Sequence, residues 1–167
     1  MSPQNCPIGG ERPLTEGEVA LARTMFGTSI DYRKVTIRRR KWFPFQPRRV
    51  PMAPRGHIHF HPLDGGYCED FSQVPPLRQG VFIHEMTHVW QTQTLGEWYL
   101  ILYRRPWSRY DYVLRPGWPL RRYGIEQQAE IVRHAFLLRR GLRLAGVPDQ
   151  RAYDVLVNFP GAQRTSV

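Results

Sequence analysis

Residues 84–88, His84-Glu85-Met86-Thr87-His88, set two imidazoles four residues apart, with a carboxylate next to the first. On an α-helix, positions four apart lie one above the other on the same face, so His84 and His88 can reach one metal ion. Glu85 falls beside that face, where its carboxylate can take a proton from a water molecule at the ion. The flanks suit a buried helix: Val81, Phe82, Ile83, Met86, Val89 and Trp90 are apolar, and residues 81–95 contain neither Gly nor Pro. A zinc hydrolase needs its ligands held rigidly against such an apolar wall. The competing reading is a helix with two polar residues on its exposed side.

A catalytic zinc takes three protein ligands and leaves a fourth position for water. No His follows His88 at the spacing of the H-E-x-x-H-x-x-G-x-x-H pattern, so the third ligand must come from elsewhere. Cys68 precedes the helix, but a lone cysteine reads better as a small buried hydrophobe. His134 is the remaining downstream His. Glu126 and Glu130 are downstream carboxylates one turn apart on a well-patterned helix. In Glu126-Gln-Gln-Ala-Glu130 the first can bind the metal while the second steadies a ligand imidazole through its other ring nitrogen.

The elements that must position these groups can be read in chain order. Residues 1–13, rich in Pro, Gly and polar groups, predict a flexible N-terminal tail, and 14–167 a single domain of a size that buries a real core. Thr15-Glu-Gly-Glu18 is a capping box opening a short helix that Gly27 closes. Val35-Thr-Ile37 predicts a strand. Residues 42–56 carry four prolines and predict a loop. Gly56-His-Ile-His-Phe-His-Pro62 alternates with period two, predicting a strand with an apolar back (Ile58, Phe60) and an imidazole front (His57, His59, His61). Three such side chains diverge over about 13 Å, which favours polar residues on an open face over a second metal site. A third reading puts this strand along a substrate cleft. The metal-motif helix ends near Gly96, 97–103 predicts another short helix, and 104–124 a surface loop. Ile125, Ala129, Val132 and Phe136 form one apolar stripe of a helix over 125–140, and a last amphipathic piece covers about 149–158.

The chain carries 41% hydrophobic residues with 13% aromatics, which argues for a globular fold rather than disorder. No apolar run is long enough to span a membrane. Residues 1–7 lack the basic and apolar regions of a secretory signal, so the expected location is cytoplasmic, with a non-classical export route left open. Two cysteines far apart make no disulfide framework. Lys and Arg number 24 against 14 acidic residues, a net charge of +10. The Arg clusters (38–40, 104–105, 121–122, 139–140) follow no nucleic-acid motif, so the charge points at most to an anionic partner and not to nucleic acid.

H-E-x-x-H followed by E-x-x-A-E resembles the gluzincin branch of the zincin metallopeptidases. More narrowly, the chain resembles the short zincin-like domain of proteins linked to contractile injection systems, and the small bacterial Vgr-related proteins. The likeness runs over about residues 14–140. It rests on Met25–Val35, the strand Gly56–Pro62, His84-Glu85-Met-Thr-His88-Val-Trp-Gln91, and Tyr123-Gly-Ile-Glu126-Gln-Gln-Ala-Glu130-Ile-Val. The two metal motifs are general to zincins; the strand and the first segment carry the narrower match. The resemblance implies an α+β zincin-like fold, a short sheet packed on the H-E-x-x-H helix with a second Glu-bearing helix crossing it. It implies His84, His88 and Glu126 as zinc ligands, Glu85 as general base and Glu130 as partner of a ligand imidazole. His57, His59, His61 and Tyr123 become substrate-cleft residues, with an extended peptide adding to the strand edge. The chain departs from the better-studied gluzincins in lacking their large accessory domain and the usual oxyanion-stabilising His or Tyr; Tyr110, Tyr112 and Tyr123 are candidates for that role. The implied function is zinc-dependent hydrolysis of a peptide or protein substrate. The alternative is a weak or inactive zinc-binding module docked on a type VI secretion or phage-tail-like apparatus.

Overall fold

Helix formation begins where the sequence offers a cap. The Glu18 amide donates to the Thr15 hydroxyl (3.0 Å) and the Thr15 amide to the Glu18 carboxylate (2.9 Å), so helix α1 (Glu16–Phe26) opens on a reciprocal capping box. The computed structural model describes residues 6–98 and 110–163. Among these residues α1 is followed by α2 (Pro76–Leu95), α3 (Ile125–Arg139) and α4 (Gln150–Leu156). A small sheet of β1 (Glu11–Pro13), β2 (Thr36–Arg38) and β3 (Ile58–His59) completes a mixed α+β architecture. The order is β1-β2-β3, with Arg12 opposite Ile37 in an antiparallel pair and Ile37 opposite Ile58 in a parallel one.

Helix α2 is the centre of the molecule. It starts earlier than the motif alone suggests, because Pro76 occupies the first turn, where its missing N–H costs nothing. Phe82, Ile83, Met86 and Val89 are 0–1% exposed, and the polar positions between them are buried as well. A helix covered on all sides is a core helix. On one side α3 packs along it. On the other, the stacked rings of Phe60, Phe71 and Phe82 (centroids 5.3 and 5.4 Å apart) run from the end of β3 to α2. Phe159 closes the chain end onto Phe26 and Trp90, at 5.1 and 5.0 Å. Gly27 makes this closure possible: its φ is +51°, and a Cβ there would lie 2.1 Å from the Pro160 carbonyl oxygen.

Two expectations need correction. The described part of the stretch expected to be a loose tail is built into the fold: Cys6 is 2% exposed, and Glu11–Pro13 pair with β2. The expected strand over 56–62 shortens to Ile58–His59, and its imidazole side is not an open face. His59 and His61 are 3% and 6% exposed. The outer edge of β3 is already taken, since His59 and Met52 exchange both backbone hydrogen bonds (2.7 and 3.1 Å). A peptide cannot add at His59 without displacing Met52. Most of the helix expected over 97–103 and the first part of the loop expected over 104–124 fall on residues 99–109, outside the described residues; Glu97 and Trp98 lie in a turn.

A buried ion pair ties the sheet to α1. Arg12 donates to both Glu18 oxygens at 2.8 Å, and Glu18 also accepts the Phe71 amide at 3.0 Å. Arg12 is 3% and Glu18 0% exposed. Glu18→Ala leaves the buried Arg12 charge with only the more distant Glu69 carboxylate (3.9 Å) opposite it, a loss of about 3 kcal/mol. Thermal unfolding should therefore drop by roughly 10 °C, and a change of less than about 2 °C would contradict this role.

Candidate metal centre

Helix periodicity puts His84 and His88 on one face of α2, and the apolar stripe of α3 (Ala129, Val132, Phe136) holds that helix against them. The stripe leaves Glu126 pointing at the same spot. His84 Nε2 and His88 Nε2 are 3.3 Å apart, His88 Nε2 and Glu126 Oε2 3.2 Å, and His84 Nε2 and Glu126 Oε2 3.3 Å. The three residues are 8%, 2% and 1% exposed, and among the described residues they form the cluster of His, Cys, Asp and Glu that could hold an ion.

Whether these donors fit zinc can be judged from spacing and from protons. Ligand atoms at about 2.0–2.1 Å in a tetrahedral arrangement are about 3.3 Å from each other, which is the triangle observed. The far ring nitrogens are engaged: His84 Nδ1 meets Glu130 Oε1 at 2.9 Å and His88 Nδ1 meets Gln91 Oε1 at 2.8 Å. Gln91 is itself oriented, because its Nε2 donates to the Ile125 carbonyl (3.1 Å) and to Gln128 Oε1 (3.0 Å). Gln128 Nε2 in turn donates to the Tyr123 carbonyl at 2.7 Å. With each Nδ1 acting as donor, the neutral rings present lone pairs from Nε2. Two lone pairs and a carboxylate oxygen at 3.2–3.3 Å repel each other unless a cation sits among them. The residues fit a zinc ion.

Without an ion, a proton does this work. Burial opposes a charged His84, but hydrogen bonds to Glu126 and Glu130 and the charges of Glu85 and Glu130 outweigh it and hold its pKa up to about 9. Burial likewise opposes ionised Glu130, but His84 and Arg133 outweigh it and bring that carboxyl down to about 2. Glu85, 5% exposed, follows His84 on α2 and lies near enough for its charge to be felt there.

The remaining candidates are placed elsewhere. His57 Nδ1 pairs with the Thr36 hydroxyl at 3.0 Å, His59 Nδ1 with the Arg40 carbonyl at 3.3 Å, and His61 Nδ1 accepts the Leu63 amide at 3.0 Å. These are local fastenings of the sheet, and the three rings do not join the His84 cluster. The Tyr123 hydroxyl accepts the Arg115 amide at 2.8 Å, and that of Tyr112 is tied to His134 and Tyr153. Tyr110 is the tyrosine at the site: its ring lies along His84 at 6.2 Å with 26° between planes. His134 is not a ligand; its Nε2 approaches Glu130 Oε2 at 3.5 Å. Cys68 is half-buried and not part of the cluster. The role of the Gln91–Gln128 pair is not evident from the residue pattern. Its one signal is Gln91 standing three residues after a ligand on the same helix.

Comparison with known proteins adds the family. No family model matches the chain. The solved effector domain of Pseudomonas aeruginosa VgrG2b superposes with a TM-score of 0.69 and 36% identity, over 92% of this chain and 88% of that one. The chain belongs to the VgrG2b effector-domain family. It is also 42% identical over 155 residues to the type VI secretion system spike protein VgrG2b of Pseudomonas aeruginosa. That alignment takes in 89% of this chain, which spans only about 15% of the spike protein's length. The likeness to Vgr-related proteins read from the sequence therefore holds at the level of this effector-domain family.

The protonation pattern makes a prediction for the ion-free protein. His84 sits above its ordinary 6.5, so its contribution to stability is complete below that pH and is lost as pH rises through about 9. Glu130 sits below its ordinary 4.5, so its contribution is complete above that pH and is lost as pH falls towards about 2. Melting in the presence of a chelator should show a maximum between these two ordinary values and a decline on the alkaline side. A flat alkaline limb would contradict a proton held by His84.

Proposed function

We propose that this chain is a zinc-dependent peptide hydrolase of small zincin-like fold, serving as the effector portion of a type VI secretion apparatus. The hydrolytic part is carried by the 3.2–3.3 Å triangle of His84, His88 and Glu126, with Glu85 beside it. The association with the apparatus is supported by membership of the VgrG2b effector-domain family, and that membership bears on the association more directly than on hydrolysis.

Bound zinc would supply Lewis-acid polarisation of a substrate carbonyl and lower the pKa of water. His84 and His88 hold through Nε2 and are kept from swinging by Glu130 and Gln91 at the opposite ring nitrogen. Glu126 adds negative charge in a dry setting. Glu85 is the general base: it takes the proton of the attacking water and returns it to the leaving amine. Tyr110, about half exposed, brings a phenol to the mouth of the site beside His84, where it can act on the substrate's developing charge. Passage out of the cytoplasm with the apparatus is the route this reading implies.

The second reading is a zinc-stabilised module that docks on the spike without turnover, and the family membership favours it. Glu85→Gln separates the two. It should leave metal binding intact and lower cleavage of a fluorogenic peptide library by roughly 100-fold or more. Unchanged cleavage in the variant would contradict Glu85 as base. A zinc-loaded wild type that cleaves nothing but co-purifies with a spike would establish the docking module instead.

A further inference from the structure

The basic residues are not evenly spread. From Arg38 to Arg49 the chain holds Arg38, Arg39, Arg40, Lys41, Arg48 and Arg49 with no carboxylate, and Trp42-Phe43-Pro44-Phe45 stands between the two groups. Phe45 is 86% exposed and Phe43 37%. The loop that carries these rings is pinned at its base. Gln46, 3% exposed, accepts the Trp42 amide at 2.7 Å and donates to the Val50 and His59 carbonyls at 3.0 and 3.1 Å. The Trp42 ring packs edge-on against His59 at 5.4 Å, with Arg55 over it at 5.5 Å. A buried amide and an anchored indole thus present two phenyl rings to solvent. Arg48 and Arg49 lie on the rim of a neighbouring cavity of about 570 Å³, and the same rim carries Leu63, 61% exposed. The result is an apolar projection flanked by Lys41, Arg48 and Arg49; Arg38 and Arg40 are paired with Glu11 (3.0 and 2.8 Å), and Asp64 shares the cavity rim.

We propose that the loop of residues 40–49 docks the domain onto an anionic lipid bilayer. Phe43 and Phe45 enter the interfacial layer while Lys41, Arg48 and Arg49 remain at headgroup level. Charge complementarity selects this occupant: anionic headgroups attract clustered Lys and Arg, and exposed aromatics beside them favour the interface. A second copy of the chain is disfavoured, because the same loop would meet its own cations. A globular protein partner needs about 800 Å² of surface per side, more than a tip of a few exposed residues supplies. No helix among the described residues is long and apolar enough to cross a membrane, so the association is peripheral.

Co-sedimentation of the full chain with vesicles of phosphatidylcholine, alone or with phosphatidylglycerol, tests this. The wild type should pellet with the anionic vesicles only. Phe43→Ser combined with Phe45→Ser should weaken that binding about tenfold or more, as should Arg48→Glu with Arg49→Glu. Phe43→Trp with Phe45→Trp should retain it, which guards against misfolding as the cause of loss. Arg121→Glu with Arg122→Glu, at a different exposed cluster, should leave binding near the wild-type level. The proposal is overturned if the wild type does not pellet, if the double Ser variant binds as the wild type does, or if the Arg121 and Arg122 changes release it equally.

Discussion

Three acceptors converging in a dry pocket are the constraint on which this structure turns. His84 Nε2, His88 Nε2 and Glu126 Oε2 lie within 3.3 Å of each other on facing helices, and such an arrangement is stable only around positive charge. A proton can supply that charge, and His84 holds one firmly. A zinc ion supplies more of it at the same spacing. The rest of the molecule holds the two helices in register while leaving that spot polar.

Register is kept by two kinds of contact. Apolar packing of Ile83, Met86 and Val89 on α2 and of Ala129, Val132 and Phe136 on α3 is close, and all are at most 1% exposed. Close packing alone would leave the imidazoles free to rotate. The hydrogen bonds that His84 donates to Glu130 and His88 donates to Gln91 remove that freedom, and Gln128 and Arg133 fix those partners in turn. Such a chain is costly to assemble, since every buried polar group in it must be satisfied. It preorganises the site before any ion arrives.

The metal motifs were legible because helix periodicity is local: a spacing of four on α2 and another on α3 set both faces without knowledge of the fold. That Glu126 rather than His134 joins the two imidazoles depends on how α3 crosses α2, and spacing alone left both open. The alternating histidines misled for a related reason. Period two places His57, His59 and His61 on one side of a strand, but it cannot say that Trp42 packs on His59 or that Met52 occupies the strand's edge. The strand Glu11–Pro13 was hidden by its Gly and Pro neighbours, because its order comes from pairing with β2 and from Arg12 reaching Glu18. The likeness to Vgr-related proteins lay in segments whose role is packing, such as Met25 and Tyr32 in the core, and the VgrG2b effector domain bears it out.

If the triangle of His84, His88 and Glu126 is a metal site, elemental analysis of the purified protein will find about one zinc per chain in the wild type and a large loss in Glu126→Ala. A wild type that takes up no zinc after reconstitution, or a Glu126→Ala variant that holds it as well as the wild type, would contradict it.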